Sequence, residues 1–210
     1  MMDSNLKLDI LFEEFQEIFL EEDQCSNDLI YNFYIQKFHY FSSSEFITNN
    51  TDLENYLVIT LSYFRVLNER GRFTKIQVQA ESILIIIDEA LEKLKTYEKP
   101  KEYYELKFIL ANAYHLMRNY IKSRNIYKEL AEANFNSFKS HQKFNDANYR
   151  YKKNLNIILI YLSLLLMFIN LLVNSFYYSF VTHRLIPIVL MISLLVFIGD
   201  YFLAKREFKK

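Results

Sequence analysis

Hydrophobic positions recur every three or four residues through the first three-quarters of the chain, then crowd together until charge disappears. The first regime predicts amphipathic helices. Leu8, Leu11, Phe12, Phe15, Ile18 and Phe19 mark a helix over Leu6–Glu22 with glutamates on its other face. Leu29, Ile30, Phe33, Tyr34, Phe38 and Phe41 mark a second over about Asp28–Phe41. A third begins at Thr51, which can cap the backbone N–H three residues on while Glu54 reaches back, and stops at Gly71. Phe73–Tyr97 forms a long fourth helix ended by Glu98-Lys99-Pro100, and a fifth runs from about Lys101 to Met117. A sixth starts near Tyr120 and meets no proline or glycine before the apolar region, so it is expected to continue into it. Ser42–Asn50 is the one loop of any length.

The second regime predicts membrane spans. No charged residue lies between Asn154 and Thr182, nor between Leu185 and Gly199. The segments Leu155–Val173 and Leu185–Leu203 hold 19 residues each. At about 1.5 Å per residue each reaches roughly 29 Å, close to the ~30 Å hydrocarbon core of a bilayer. The expected architecture is therefore all-α: antiparallel helical hairpins followed by a two-helix transmembrane hairpin. Residues 1–50 are acidic N-terminal helices, 51–150 a helical domain continuous with them, and 151–210 the hairpin with a short basic tail.

Charge orients the hairpin. Lys143, Arg150, Lys152 and Lys153 precede the first span, and Lys205, Arg206, Lys209 and Lys210 follow the second, whereas the connecting loop carries only His183 and Arg184. Basic flanks stay cytoplasmic. Both termini are thus expected inside, in a plasma (inner) membrane protein, with Phe176, Tyr177, Tyr178 and Phe180 as an outer aromatic belt. The polar residues within the spans fall seven apart: Asn156, Ser163 and Asn170 in the first, Ser193 and Asp200 in the second. Such spacing places each set on one face. Those stripes either bond to each other within the hairpin or face other protomers as a homo-oligomer, lining a pore or a sensing interface.

Formal net charge is zero, yet residues 1–46 hold ten acids and two bases, leaving the excess of bases to the remainder. An anionic leaflet should repel the acidic end and attract the basic stretch before the first span. The lone cysteine, Cys25, forms no internal disulfide, which fits a reducing compartment. No basic region followed by an apolar run opens the chain, so no cleavable leader is expected and the hairpin itself directs targeting.

Two glycines and two prolines in 210 residues argue against turn-rich β folds and favour long helices, which invites a search for repeats. Leu110-Ala111-Asn112-Ala113-Tyr114, Asn119-Tyr120, Ser123, Tyr127-Lys128 and Leu130-Ala131-Glu132 together resemble a tetratricopeptide repeat. Small Ala111 and Ser123 would let two helices approach closely, and Tyr114, Tyr120 and Tyr127 would fill the space between hairpins. Phe64–Ala80 is a looser echo with Gly71 and Phe73 at the turn. It departs from the family in having Ile76 at a small-residue position, and Phe73 and Tyr120 stand 47 residues apart where one period is about 34. The resemblance implies a protein-binding superhelix whose first repeat helix offers Glu105, Phe108, Asn112 and His115 to a groove. Asn112 matches a groove asparagine that bonds the partner's backbone or terminal carboxylate, although the basic partners of such a clamp are not evident in the sequence.

Catalytic chemistry has no foothold. His39, His115, His141 and His183 lack second ligands at metal spacing, and no His-Glu-x-x-His run, phosphate loop or nucleophile elbow occurs. Glu13-Glu14 and Glu21-Glu22 lie on a wet helix face, and no basic module with interleaved aromatics points to nucleic acid. The expectation is a non-enzyme without metal or cofactor, touching the bilayer and a protein partner. Two functions fit: a membrane-anchored helical-repeat adaptor, or a small membrane effector that oligomerises through its hairpin and permeabilises or depolarises the membrane.

Overall fold

A computed structural model describes residues 8–20, 27–96, 98–176 and 191, with the side chains of 19, 20 and 170–176 excepted. Among them every regular element is helical: α1 (Leu8–Leu20), α2 (Asn27–Gln36), α3 (Asn50–Glu69), α4 (Phe73–Lys93), α5 (Lys101–Leu116), α6 (Tyr120–Glu132) and α7 (Ser137–Phe176), with short 3-10 turns at Phe38–Phe41 and Ser44–Phe46. The chain divides into two compact units, Met1–Phe144 and Asn145–Lys210.

In the first unit α3 is the central element. Leu53, Tyr56, Leu57, Ile59, Leu61, Tyr63, Phe64, Val66 and Leu67 are all buried, so apolar contact surrounds the helix. It packs on α1, α2, α4 and α5; α4 also packs on α5, and α5 on α6. Fully buried Ala111 of α5 and Ser123 of α6 admit close approach at the last of these contacts, beside Tyr114 and Tyr127.

The second helix stops five residues short of the expected Phe41, for a geometric reason. Tyr34 lies between two rings, 3.9 Å from Tyr63 and 4.7 Å from Phe41 between centroids, both nearly parallel. On a continuous helix, residues seven apart stand about 10.5 Å apart along the axis. The 3-10 turn folds Phe41 back onto the ring, and the Tyr56 hydroxyl fastens the turn by donating to the Phe41 carbonyl at 3.0 Å.

The third helix is capped by Asn49 and not by Thr51. The Asn49 side chain accepts from the Asp52 N–H at 2.9 Å, while the Asp52 carboxylate accepts from the Thr48 N–H at 2.9 Å. The cap lies two residues earlier than expected, and the returning acid, Asp52, bonds the N–H of the residue before the cap, so the pair is not the reciprocal box.

Helices α3 to α6 all end alike. A residue with positive φ follows each, namely Gly71 (65°), Lys95 (55°), Arg118 (62°) and Asn134 (56°). The next N–H then reaches back to a buried residue's carbonyl: Arg72 to Leu67, Thr96 to Leu91, Asn119 to Tyr114 and Phe135 to Leu130, at 2.8–3.0 Å. These are Schellman endings. One stops the fourth helix at Lys93, short of Tyr97. Another, at Asn134, divides the expected continuous sixth helix into α6 and α7.

The second unit contains most of α7. Helix α7 carries a segment, Ser137–Ile169, that is long and apolar enough to cross a membrane. Its exposure is inverted relative to a soluble helix: Ile158, Tyr161, Leu164, Leu165 and Phe168 are more than half exposed, while Asn156 and Ser163 are buried. The second expected span, Leu185–Leu203, lies outside the described residues except for Met191, and Ser193 and Asp200 lie outside them too.

Candidate functional site

The groove residues expected on α5 separate into two rows. Glu105 and Asn112, seven residues apart, face α3. There Nε and an Nη of Arg65 both donate to one Glu105 carboxylate oxygen, at 3.1 and 2.6 Å. The Asn112 amide lies 3.5 Å from the side-chain oxygen of Asn68, a long contact. Phe108 and His115, again seven apart, face α6: Phe108 meets Tyr127 edge-on at 5.6 Å, and His115 meets Tyr120 at 5.3 Å. At 100° per residue the rows diverge by about 60° around the helix axis. Glu105, Phe108 and Asn112 are half-buried, whereas His115 is buried and belongs to the α5–α6 contact.

Arg65 and Asn68 therefore adjoin the candidate groove residues, a pairing that helical spacing within α5 does not reveal. They stand on the α3 surface one turn apart and complete a polar row with Glu105 and Asn112. A third contact of this kind joins α1 to α3, where Asn55 donates to Asp9 at 3.0 Å. On the far side of Phe108, the Lys139 ammonium sits 5.3 Å from the ring centroid, a cation–π approach from the first turn of α7. Next to Phe108, Lys107 pairs with Glu129 at 2.7 Å. Burial pulls the Lys107 ammonium down, but its bond to Glu129 and the nearby Tyr103 hold it above the ordinary lysine range.

A second polar cluster stands where α4, α5 and α6 meet. Glu81 accepts from the Tyr114 hydroxyl and from Lys122, the latter at 2.9 Å. The Tyr114 bond, and then Lys122, hold the Glu81 carboxyl below its usual range. This triad ties three helices together. It contains an acid and a cation but no nucleophile–base pair, and among the described residues no group of three or more His, Cys, Asp or Glu is placed to hold a metal.

In the apolar part of α7, the Ser163 hydroxyl donates to its own helix, to the carbonyls of Leu159 (2.7 Å) and Ile160 (3.0 Å). Its hydrogen is thus satisfied within its own helix. Asn156 lies two turns earlier on the same buried face. The side chain of Asn170 lies outside the description.

No family model, curated protein or solved structure matches the chain.

Proposed function

We propose that the protein is a non-catalytic, membrane-anchored adaptor whose α3–α5 face docks a protein partner beside the bilayer. The observation that carries this reading is the order of packing. Helices α1, α3 and α5 touch in series, while α2 packs on α1 and α3, α4 on α3 and α5, and α6 on α5. That is how stacked hairpins such as tetratricopeptide repeats arrange their first and second helices, leaving the row of first helices as a continuous face. Arg65, Asn68, Glu105 and Asn112 lie on it as polar groups held by modest mutual bonds, so a partner can exchange for them at small cost. The apolar surface of α7 is far larger than a soluble protein leaves in water, which supports anchoring.

In this proposal the segment 185–203 returns through a plasma or inner membrane as a second span, leaving both termini cytoplasmic. Asn156 and Ser163 are buried on an otherwise exposed apolar helix, and polar side chains within a membrane turn toward protein and away from lipid. The rival reading, an oligomeric effector that permeabilises the bilayer, rests on the seven-residue spacing of the polar residues in the two apolar segments.

A paired experiment separates the two. Full-length protein carrying Arg65→Ala and Asn112→Ala should lose its partner from native membranes with membrane potential unchanged. Substituting Asn156→Leu and Ser163→Leu should leave partner capture intact. If instead expression of the wild-type chain depolarises cells and only the second pair abolishes this, the effector reading replaces the adaptor.

A further inference from the structure

The break at Asn134 makes α7 an element of its own, and its rise fixes how far the basic residues of the second unit lie from the first apolar residue. Between Ser137 and Lys153 the helix carries Lys139, Lys143, Arg150, Lys152 and Lys153 against one acid, Asp146. It runs without interruption from Ser137 through Phe176, so each side chain's distance from the first apolar residue, Leu155, follows from the helical rise. Arg150 lies about 7.5 Å from Leu155 along the helix axis, and Lys152 and Lys153 lie nearer still. Surface charge is screened over ~8 Å at physiological ionic strength.

Arg150, Lys152 and Lys153 are therefore within electrostatic reach of lipid headgroups. The Lys139 ammonium is instead over the Phe108 ring. The near group also has the aromatic company that headgroup depth favours. Tyr149 is about half exposed and Tyr151 partly so, one on either side of Arg150. Asp146 bonds Arg150 through Nε, at 3.1 and 3.2 Å, one turn deeper in the aqueous side.

We infer that Arg150, Lys152 and Lys153, flanked by Tyr149 and Tyr151, form a binding site for the phosphate groups of anionic phospholipids. The basic stretch thus divides by role, Lys139 packing on Phe108 and the residues next to Leu155 serving the leaflet. The inference rests on α7 being membrane-embedded. Each cation at the surface strengthens association with anionic lipid roughly fivefold, so the three together give an enrichment of up to about a hundredfold.

The test uses full-length protein in nanodiscs of equal parts phosphatidylcholine and phosphatidylglycerol, reading retained lipid by native mass spectrometry. Wild-type protein should retain phosphatidylglycerol in large excess. Lys153→Gln alone should lower that excess several-fold, and Arg150→Gln/Lys152→Gln/Lys153→Gln should remove it. Lys139→Gln/Lys143→Gln should leave it unchanged. Equal retention of both lipids by the wild type, equal loss in the distal pair, or displacement of phosphatidylglycerol by inorganic phosphate would each overturn the site, the last by showing a soluble-anion pocket. An alkaline carbonate wash of the source membranes distinguishes a deeper failure: release of the chain contradicts anchoring itself, whereas retention without lipid preference contradicts only the lipid site.

Discussion

The four matching helix endings allow a prediction whose sign changes from site to site. Gly71, Lys95, Arg118 and Asn134 all hold φ between 55° and 65°, but only the first is glycine. A side chain in this left-handed region costs about 1–2 kcal/mol, while glycine costs about 0.5–1 kcal/mol through the freedom it has in the unfolded chain. The net gain for Arg118→Gly or Lys95→Gly is then about 0.5–1 kcal/mol. Both side chains are exposed, so little packing is lost with them. Gly71→Ala should cost a similar amount. A Cβ there would meet the Phe73 ring at 3.8 Å, an ordinary contact, so the penalty is backbone strain and not a clash. Asn134→Gly should change least, because asparagine tolerates the region through local hydrogen bonding. The assay is thermal unfolding of full-length protein in neutral micelles, followed by tyrosine near-ultraviolet dichroism, since the chain has 17 tyrosines and no tryptophan. Shifts of about 2–4 °C are expected for a unit of this size, upward at Lys95 and Arg118 and downward at Gly71. A fall on Arg118→Gly, or an unchanged melting point on Gly71→Ala, would refute the reasoning.

Two further perturbations probe packing and charge. Tyr34→Ala removes a ring sandwiched between Phe41 and Tyr63 and should destabilise the helical unit by about 3–5 kcal/mol, measured by urea unfolding. Tyr34→Phe deletes only a buried hydroxyl without a hydrogen-bond partner, so it should be neutral or mildly stabilising. Glu81, held below its usual range first by the Tyr114 bond and then by Lys122, contributes stability that is present above its unfolded pKa and lost as pH falls through the lower folded value. Glu81→Gln should therefore reduce the acid sensitivity of the melting temperature below about pH 4.5, and by well under 1 kcal/mol because the pair is solvent-exposed.

The helices were legible where burial is one-sided. The three-and-four spacing of Leu8, Leu11 and Phe15, or of Ile76, Ala80, Ile83 and Ile87, follows from the face each helix presents to the core. Endings were less visible. Gly71 announces itself, but Lys95, Arg118 and Asn134 adopt the same backbone without glycine, because the helix end there is fixed by buried Leu91, Tyr114 and Leu130. This is why no residue type marks the division at Asn134 and the stretch from Tyr120 reads as one continuous helix. The cap at Asn49 lost out to Thr51 because several small polar residues crowd together there, and only Thr48 and Asp52 decide between them.

The candidate site was half legible. Periodicity places Glu105 and Asn112 on one line of α5, and a family resemblance singles them out. Arg65 and Asn68 arrive from 40 and 44 residues earlier, a separation that helical spacing cannot report. His115 shows the converse. It sits on the line of Phe108, but the ring of Tyr120 encloses it, so burial removes a residue that spacing suggested.

The adaptor account is tested most directly by photo-crosslinking in native membranes, with the reactive residue placed either at Val58 on α3 or at Val78 on α4. Both positions are exposed, and Val58 lies two turns from Arg65 along the proposed docking face. The account predicts discrete protein adducts from Val58 and none from Val78. Adducts absent from Val58, or the same from both positions, would contradict a docking face on the row of first helices.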